Sequence, residues 1–317
     1  MMKKSFLWIT IIILLVGILA GCSTNSSETD QTNNNLQSIN SSETIYPLSI
    51  TDYTGSEVLI PAEPQRIITF FPSNTEILYE LDLDGRVIAV TIYDNYPVNI
   101  QEKVEYVFDD GLNPNIEQIL NLKPDLIVLG AHDDQLIDSL KKLNIPVVKY
   151  NPQSISEVYQ TIEDLGVITN KKDEALKLIT DMQAKEQLIT SKVASIDSKE
   201  SVWVEIASDL WTCGTETFMN ELIEKAGGIN IVDQPGWIQY SEEKVIEKNP
   251  KVIFTTYGYY DPNAVANVLN REGWTEVDAI KNNRVYDINS DLVSRPGPRV
   301  IDAMEEFAKA IYPDLFN

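Results

Sequence analysis

Few side chains in this sequence are of the kinds that make or break covalent bonds. The one histidine, His132, stands in Gly130-Ala-His132-Asp-Asp134, and Cys213 stands in Trp211-Thr-Cys213-Gly214. A hydrolytic triad would have to be built on His132, yet no Gly-x-Ser-x-Gly elbow offers a nucleophile and no glycine loop is patterned to cradle phosphate. A single histidine also falls short of the several ligands that hold zinc or manganese. What remains is non-covalent recognition. Trp211, Trp237 in Pro235-Gly-Trp237, and Tyr257, Tyr259 and Tyr260 lie in polar or glycine-containing stretches rather than in periodic apolar segments. Rings so placed are poor core filler, which leaves ligand contact or packing between parts of the fold. Arg295 is one of six arginines and lies beside two prolines. It suits a ligand carboxylate or amide, or a structural salt bridge.

These residues need a scaffold of strand ends. Apolar, β-branched runs at 66–70, 87–91, 125–130, 147–150, 202–206, 252–257 and 285–288 alternate with amphipathic segments. Continuous apolar runs separated by helices predict parallel strands covered on both faces, an α/β class. Ser73-Asn-Thr-Glu76 and Ser154-Ile-Ser-Glu157 fit capping boxes, Pro114, Pro262 and Pro298 stand at or near first helical positions, and Gly227-Gly228 fits a helix stop. One pattern occurs twice, 126 positions apart: Glu117 to Val128 and Glu243 to Phe254 each read as a short helix, a proline (Pro124, Pro250) and a buried strand. Three of the twelve aligned residues are identical, and the repeat predicts two lobes. Between them, from Lys172 to Ile196, there is no glycine or proline. Leu176, Ile179, Met182, Ile189, Val193 and Ile196 recur at helical spacing, predicting a connector of roughly 25 residues or ~37 Å. Two lobes on one helix leave a cleft, where ligands bind. The expected organisation is a leader over 1–21, a modified cysteine and polar tether over 22–44, a first lobe over 45–168, a connecting helix over 169–198 and a second lobe over 199–317.

The leader reading rests on Lys3 and Lys4, the apolar run Phe6 to Ala20, and the end Leu19-Ala-Gly-Cys22. That end resembles the bacterial lipoprotein processing box, which implies lipidation of Cys22 and anchoring through several acyl chains. Residues 23–44 carry too little apolar surface to fold. With Cys22 modified, Cys213 has no partner for an intramolecular disulfide. Forty-eight acidic against 25 basic side chains argue against nucleic acid and anionic lipid as direct partners.

Five stretches in order carry a family resemblance: Arg66-Ile-Ile-Thr-Phe-Phe-Pro-Ser-Asn-Thr-Glu76, Tyr93-Asp-Asn-Tyr-Pro97, Lys123-Pro-Asp-Leu-Ile127, Ala226-Gly-Gly-Ile-Asn230 and Ser294-Arg-Pro-Gly-Pro-Arg299. Over residues 45–315 the chain resembles the solute-binding lipoproteins of ABC importers for siderophores, haem and cobalamin. The resemblance implies two Rossmann-like lobes on a helical backbone, no enzymatic activity, no resident cofactor or metal, and a monomer on the outer face of the cytoplasmic membrane. Its partner would be a permease dimer with its ATPase, whose arginines receive Glu117 and Glu243. The helix dipole alone also favours a carboxylate in a first turn. Ligand contacts carried over by position are Ser73, Asn74, Tyr93, Trp211, Trp237 and Arg295, with Tyr257, Tyr259 and Tyr260 at a further strand end. Ser73 and Asn74 serve equally as helix caps, and Tyr93 as a loop brace. His132 is read as a solvent-facing loop residue, with axial ligation of haem or cobalt the alternative; Cys213 is read as a small buried side chain.

Ferric siderophores commonly carry negative charge and call for clustered cations. Here only Arg295 is placed, while Asp109-Asp110 and Asp133-Asp134 occupy other rim loops. A large near-neutral ligand fits better, so the favoured metal chelate is cobalamin, with a ferric siderophore or haem as alternatives. The chain departs from cobalamin receptors in carrying Asp109 and Gly130 where they have tryptophans. A lipid-anchored hydrolase lacks its nucleophile, and an adhesion module leaves the strand-end aromatics unexplained.

Overall fold

A computed structural model describes residues 43–316. The leader, Cys22 and most of the tether lie outside the described residues. The first lobe opens with an antiparallel hairpin, β1 (Leu48–Thr51) and β2 (Glu57–Ile60). It continues through β3 (Ile67–Thr69), α1 (Pro72–Glu80), β4 (Val87–Thr91), β5 (Tyr106–Phe108), α2 (Ile116–Leu122), β6 (Leu126–Leu129), α3 (Asp134–Lys141), β7 (Val147–Lys149) and α4 (Ile155–Ile168). The sheet order is β5-β4-β3-β6-β7, with every pairing parallel. Helix α5 (Lys172–Val193) leads into the second lobe: β8 (Ser201–Glu205), β9 (Trp211–Cys213), α6 (Phe218–Lys225), β10 (Ile229–Asn230), β11 (Trp237–Gln239), α7 (Glu242–Lys248), β12 (Val252–Thr255), α8 (Ala264–Leu269), α9 (Asp278–Lys281), β13 (Val285–Asp287), α10 (Ser290–Ser294), α11 (Val300–Ile311) and α12 (Pro313–Phe316). Its parallel sheet runs β10-β8-β12-β13, and β9 pairs antiparallel with β11 outside it.

Strands β4, β6 and β12 are buried at every position, because helices cover both faces of their sheets and neither side needs to be polar. One apolar core runs from Ile77 and Leu126 in the first lobe through Met182 and Ile189 of α5 to Val204, Leu222 and Phe307 in the second. Helix α5 packs on α4 and on α11, so it is built into both lobes and is not a free strut.

The repeat is structural. Helices α2 and α7 have seven residues each, are capped by the Asn115 and Ser241 side chains, and end on Lys123 and Asn249 in the left-handed conformation, with φ of 51° and 47°. Pro124 and Pro250 forbid another helical turn. The chain then enters β6 and β12, the strands at the centre of the pairings β3-β6-β7 and β8-β12-β13.

Other expectations are corrected. Helix α5 has 22 residues, about 33 Å, and ends at Val193. Leu176, assigned to its buried stripe, is 66% exposed, and Ala175 is buried instead. The Ser154 cap forms, with Ser154 Oγ accepting from the Glu157 N–H at 3.2 Å, but Glu157 reaches back past the cap to the Gln153 N–H at 2.7 Å, so the box is not reciprocal. The Ser73 box does not form, since α1 starts at Pro72 without a side-chain cap and Glu76 is drawn into ion pairs with the second lobe. Pro114, Pro262 and Pro298 lie near the helix starts as expected, each two residues ahead of the first residue of α2, α8 or α11. The pairs β1–β2 and β9–β11 and the edge strands β5 and β10 were not anticipated. Among the described residues no helix is long and apolar enough to cross a membrane.

Candidate ligand-binding cleft

The loops that leave the carboxyl ends of β4, β12 and β13 enclose a cavity of about 890 Å³ shared by the two lobes. Ile92, Tyr93 and Asn95 line it from the first lobe, with Pro72 at the start of α1; Thr256, Gly258, Tyr259, Asp287, Asn289, Ser290, Asp291, Ser294 and Arg295 line it from the second. This is where open parallel sheets place ligands, because the loops there are free of the packing that fixes the strands. Tyr93 is 62% and Tyr259 77% exposed. Those two rings face solvent without a core to hold them, as a surface for an apolar ligand face requires.

The polar groups sort by how far they are already satisfied. Arg295 gives one nitrogen to Asn95 at 2.8 Å, with Glu76 at 3.3 Å, and the other to Asp291 and the Tyr93 carbonyl at 2.8 and 3.0 Å. Its charge is spent within the wall, so Arg295 lines the cavity as a clamp between lobes and not as a free cation. Glu76, only 2% exposed, accepts from Arg299 Nε and Nη2 at 2.8 and 2.6 Å. Arg299 also stacks on the Tyr96 ring, 4.1 Å from its centroid. The Asn95 amide donates to Asp291 at 2.8 Å across the junction. Asp94 is buried nearby and takes the N–H and hydroxyl of Thr91 on one oxygen; burial still lifts its carboxyl above the usual range.

The remaining candidates are distributed around this cavity. Trp211 and Trp237 sit on β9 and β11, diagonal neighbours on one face of the antiparallel pair, exposed but outside the cavity lining. Tyr257 does not reach the surface. It is 1% exposed, its hydroxyl donates to Glu205 at 2.6 Å, and Tyr260 stacks over it at 5.6 Å, so Tyr260 takes the exposed position. Glu205, fully buried, is held by both Arg271 terminal nitrogens at 2.7 Å, and burial together with this carboxylate pushes the Tyr257 phenol well above its ordinary range. Asn74 is buried and donates to the Leu129 and Tyr150 carbonyls at 2.9 Å, a tie between α1 and the ends of β6 and β7. Ser73 is buried against Gly297, where a Cβ would stand 3.2 Å from the Ser73 carbonyl.

His132 is not in a solvent-facing position: it is 4% exposed. The Gly130 N–H donates to Nδ1 at 3.1 Å, which leaves the proton on Nε2 to donate to the Gly111 carbonyl at 2.8 Å. Desolvation holds its pKa below the ordinary value, so the ring is neutral and structural. Cys213 is buried as expected, its thiol pushed up to about 12 by desolvation. Glu117 and Glu243 occupy the same place in their helices, the second residue after the cap, and both are exposed. Among the described residues no group of histidine, cysteine and carboxylate side chains is arranged to hold a metal ion. Sequence reading passed over Asn95, Asp287 and Asn289, because short polar residues in loops carry no periodic signal.

Two parallel-sheet lobes sharing a cavity at their strand ends define a solute-binding protein of the class III periplasmic binding fold. Residues 67–292 match the periplasmic binding protein family, Peripla_BP_2, and the chain belongs to it. It is 37% identical over 329 residues to an uncharacterized ABC transporter substrate-binding lipoprotein of Bacillus subtilis, YvrC, covering all of both chains. It is 28% identical over 258 residues to a vitamin B12-binding protein of Vibrio cholerae, covering 80% of this chain and 91% of that one. A crystal structure of a possible iron-binding, periplasmic solute-binding protein from Staphylococcus epidermidis superposes with a TM-score of 0.70 at 32% identity, covering 79% of this chain and all of that chain. The chain is thus the substrate-binding protein of an ABC transporter, a binder and not an enzyme.

Proposed function

We propose that this protein is an extracytoplasmic lipoprotein, held at the membrane through Cys22, that captures a metal chelate in the cleft and presents it to the permease through Glu117 and Glu243. The favoured chelate is cobalamin. The observation that carries this reading is the balance of the cavity: exposed tyrosine faces, neutral amides and hydroxyls, two carboxylates, and one arginine whose charge is already compensated. Such a wall suits a large, near-neutral, amide-fringed ring, because each buried polar edge of the ligand finds a partner and no anion is required. The vitamin B12-binding relative of Vibrio cholerae is consistent with that chemistry. A ferric chelate is the second reading, favoured by the iron-binding description of the Staphylococcus epidermidis relative. Haem ligation by His132 drops out of the account, since both ring nitrogens are engaged inside the first lobe.

The test is a thermal-shift series on the purified chain with cyanocobalamin, haem and ferric siderophores. A ligand present at one hundred times its Kd adds about 2.7 kcal/mol to the folded state. Cyanocobalamin is expected to raise the melting temperature in a concentration-dependent way and to quench tryptophan fluorescence. A response to a ferric siderophore alone would move the assignment to the second reading, and no response to any would defeat both.

A further inference from the structure

Three ionic side chains line the cavity: Asp287, Asp291 and Arg295. Asp291 and Arg295 neutralise each other at 2.8 Å. Asp287 is different. It is exposed at the end of β13, and its Oδ1 accepts from two neutral donors, the Thr255 hydroxyl at 2.7 Å and the Gly258 N–H at 3.0 Å. Those two bonds fix the carboxylate plane and leave Oδ2 as the acceptor with remaining capacity. The chain also reserves space for that oxygen. A Cβ on Gly258 would stand 2.1 Å from Oδ2, although Gly258 is not among the residues with positive φ. Backbone conformation therefore does not call for glycine at 258, and a Cβ there would push the Asp287 carboxylate, the free end of its side chain, out of this position.

We infer that Asp287 is a specificity-determining acceptor of the cleft: its Oδ2 receives an N–H from the edge of the ligand, and its charge discriminates against ligands with an anionic group at that edge. This rests on the metal-chelate reading above and narrows it to neutral or cationic chelates with N–H donors. A preoriented carboxylate gains a charge-assisted hydrogen bond from an amide without reorganising. Against a ligand carboxylate it presents like charge and an unpaired acceptor, which counts against binding.

The experiment uses the full chain in detergent and four probes in two pairs, with affinities from titration calorimetry. One pair is cyanocobalamin and its derivative with one peripheral amide hydrolysed to the acid; the other is a cationic ferric trihydroxamate and an anionic ferric tris-catecholate. In whichever pair binds, the wild type is expected to favour the less anionic member by about tenfold or more, a difference of ~1.4 kcal/mol. Asp287→Asn, which keeps the shape and the Thr255 and Gly258 contacts, is expected to reduce that ratio to roughly threefold or less. Gly258→Ala, which displaces the carboxylate, is expected to act in the same direction. Discrimination that survives unchanged in Asp287→Asn, or a wild type that prefers the anionic member, overturns the inference. Binding of the trihydroxamate with the predicted ratio but no binding of cyanocobalamin supports the role of Asp287 while removing cobalamin as the ligand. Failure of all four probes to bind overturns both.

Discussion

Glu76 holds the junction of the two lobes, and its removal has a cost that follows from the geometry. In Glu76→Ala, Arg295 loses one contact at 3.3 Å but keeps Asp291, Asn95 and the Tyr93 carbonyl. Arg299 loses both of its bonds, at 2.8 and 2.6 Å, and retains only the Tyr96 ring. Its side chain is 16% exposed, so water recovers little of the loss. Removing one partner of a buried ion pair costs about 3–5 kcal/mol, and the lower end applies here because one of the two guanidiniums stays paired. For a body of this size that corresponds to a fall in melting temperature of roughly 5 °C. The assay is urea unfolding followed by tryptophan fluorescence, with Glu76→Ala/Arg299→Met as the control. The double variant removes the orphaned charge and is expected to recover more than half of the loss. A cost below about 1 kcal/mol, the range of exposed pairs, or a double variant as unstable as the single one, would refute the claim that this buried network ties the lobes together.

Acid sensitivity has a similar origin at His132. Its folded pKa lies below the unfolded value, so its contribution is complete above about pH 6.5 and is lost as pH falls below that value toward the folded pKa. His132→Gln is expected to flatten the decline of melting temperature between pH 7 and 5; an unchanged slope would remove His132 from the explanation. Glu117→Ala combined with Glu243→Ala is expected to abolish uptake while leaving chelate affinity in solution unchanged, and a loss of affinity would mean that these helices report on the cleft. Thiol titration tests both cysteines. Cys213 is expected to be inert to aromatic disulfides in the native protein and to react on unfolding, giving one thiol per chain for protein extracted from membranes. Two thiols after unfolding would show that Cys22 carries no lipid.

The repeat was legible in sequence because it is written in residues with a strong local grammar. Proline stops a helix whatever surrounds it, and the runs Leu126–Leu129 and Val252–Thr255 are apolar throughout because both faces are covered. Where tertiary contacts compete with local ones, the sequence misleads. Glu76 stands three residues after Ser73 as a capping box requires, but two arginines more than 200 residues away bind it more strongly than a backbone N–H. His132 is followed by two aspartates and reads as a surface residue, yet its ring turns inward because two backbone groups from Gly111 and Gly130 need partners there. The exposure of Tyr260 over Tyr257 depends on Glu205, 52 residues earlier than Tyr257. Asp287 depends in the same way on the bare backbone of Gly258, 29 residues away. Relations of that kind arise from which strands become neighbours, and no periodicity along the chain records them.

On the function proposed above, one chelate binds between the lobes, against Tyr93 and Tyr259. Titration calorimetry of the full chain with cyanocobalamin, set beside Tyr93→Ala/Tyr259→Ala, tests it most directly. Base or ring stacking on an aromatic side chain is worth ~1–3 kcal/mol by alanine substitution, so two rings together carry about thirtyfold or more in affinity. The wild type is expected to bind one ligand per chain and the double variant to lose affinity by that factor at unchanged melting temperature. Binding of equal strength in the double variant would contradict it, because the ligand would then sit somewhere other than the cleft.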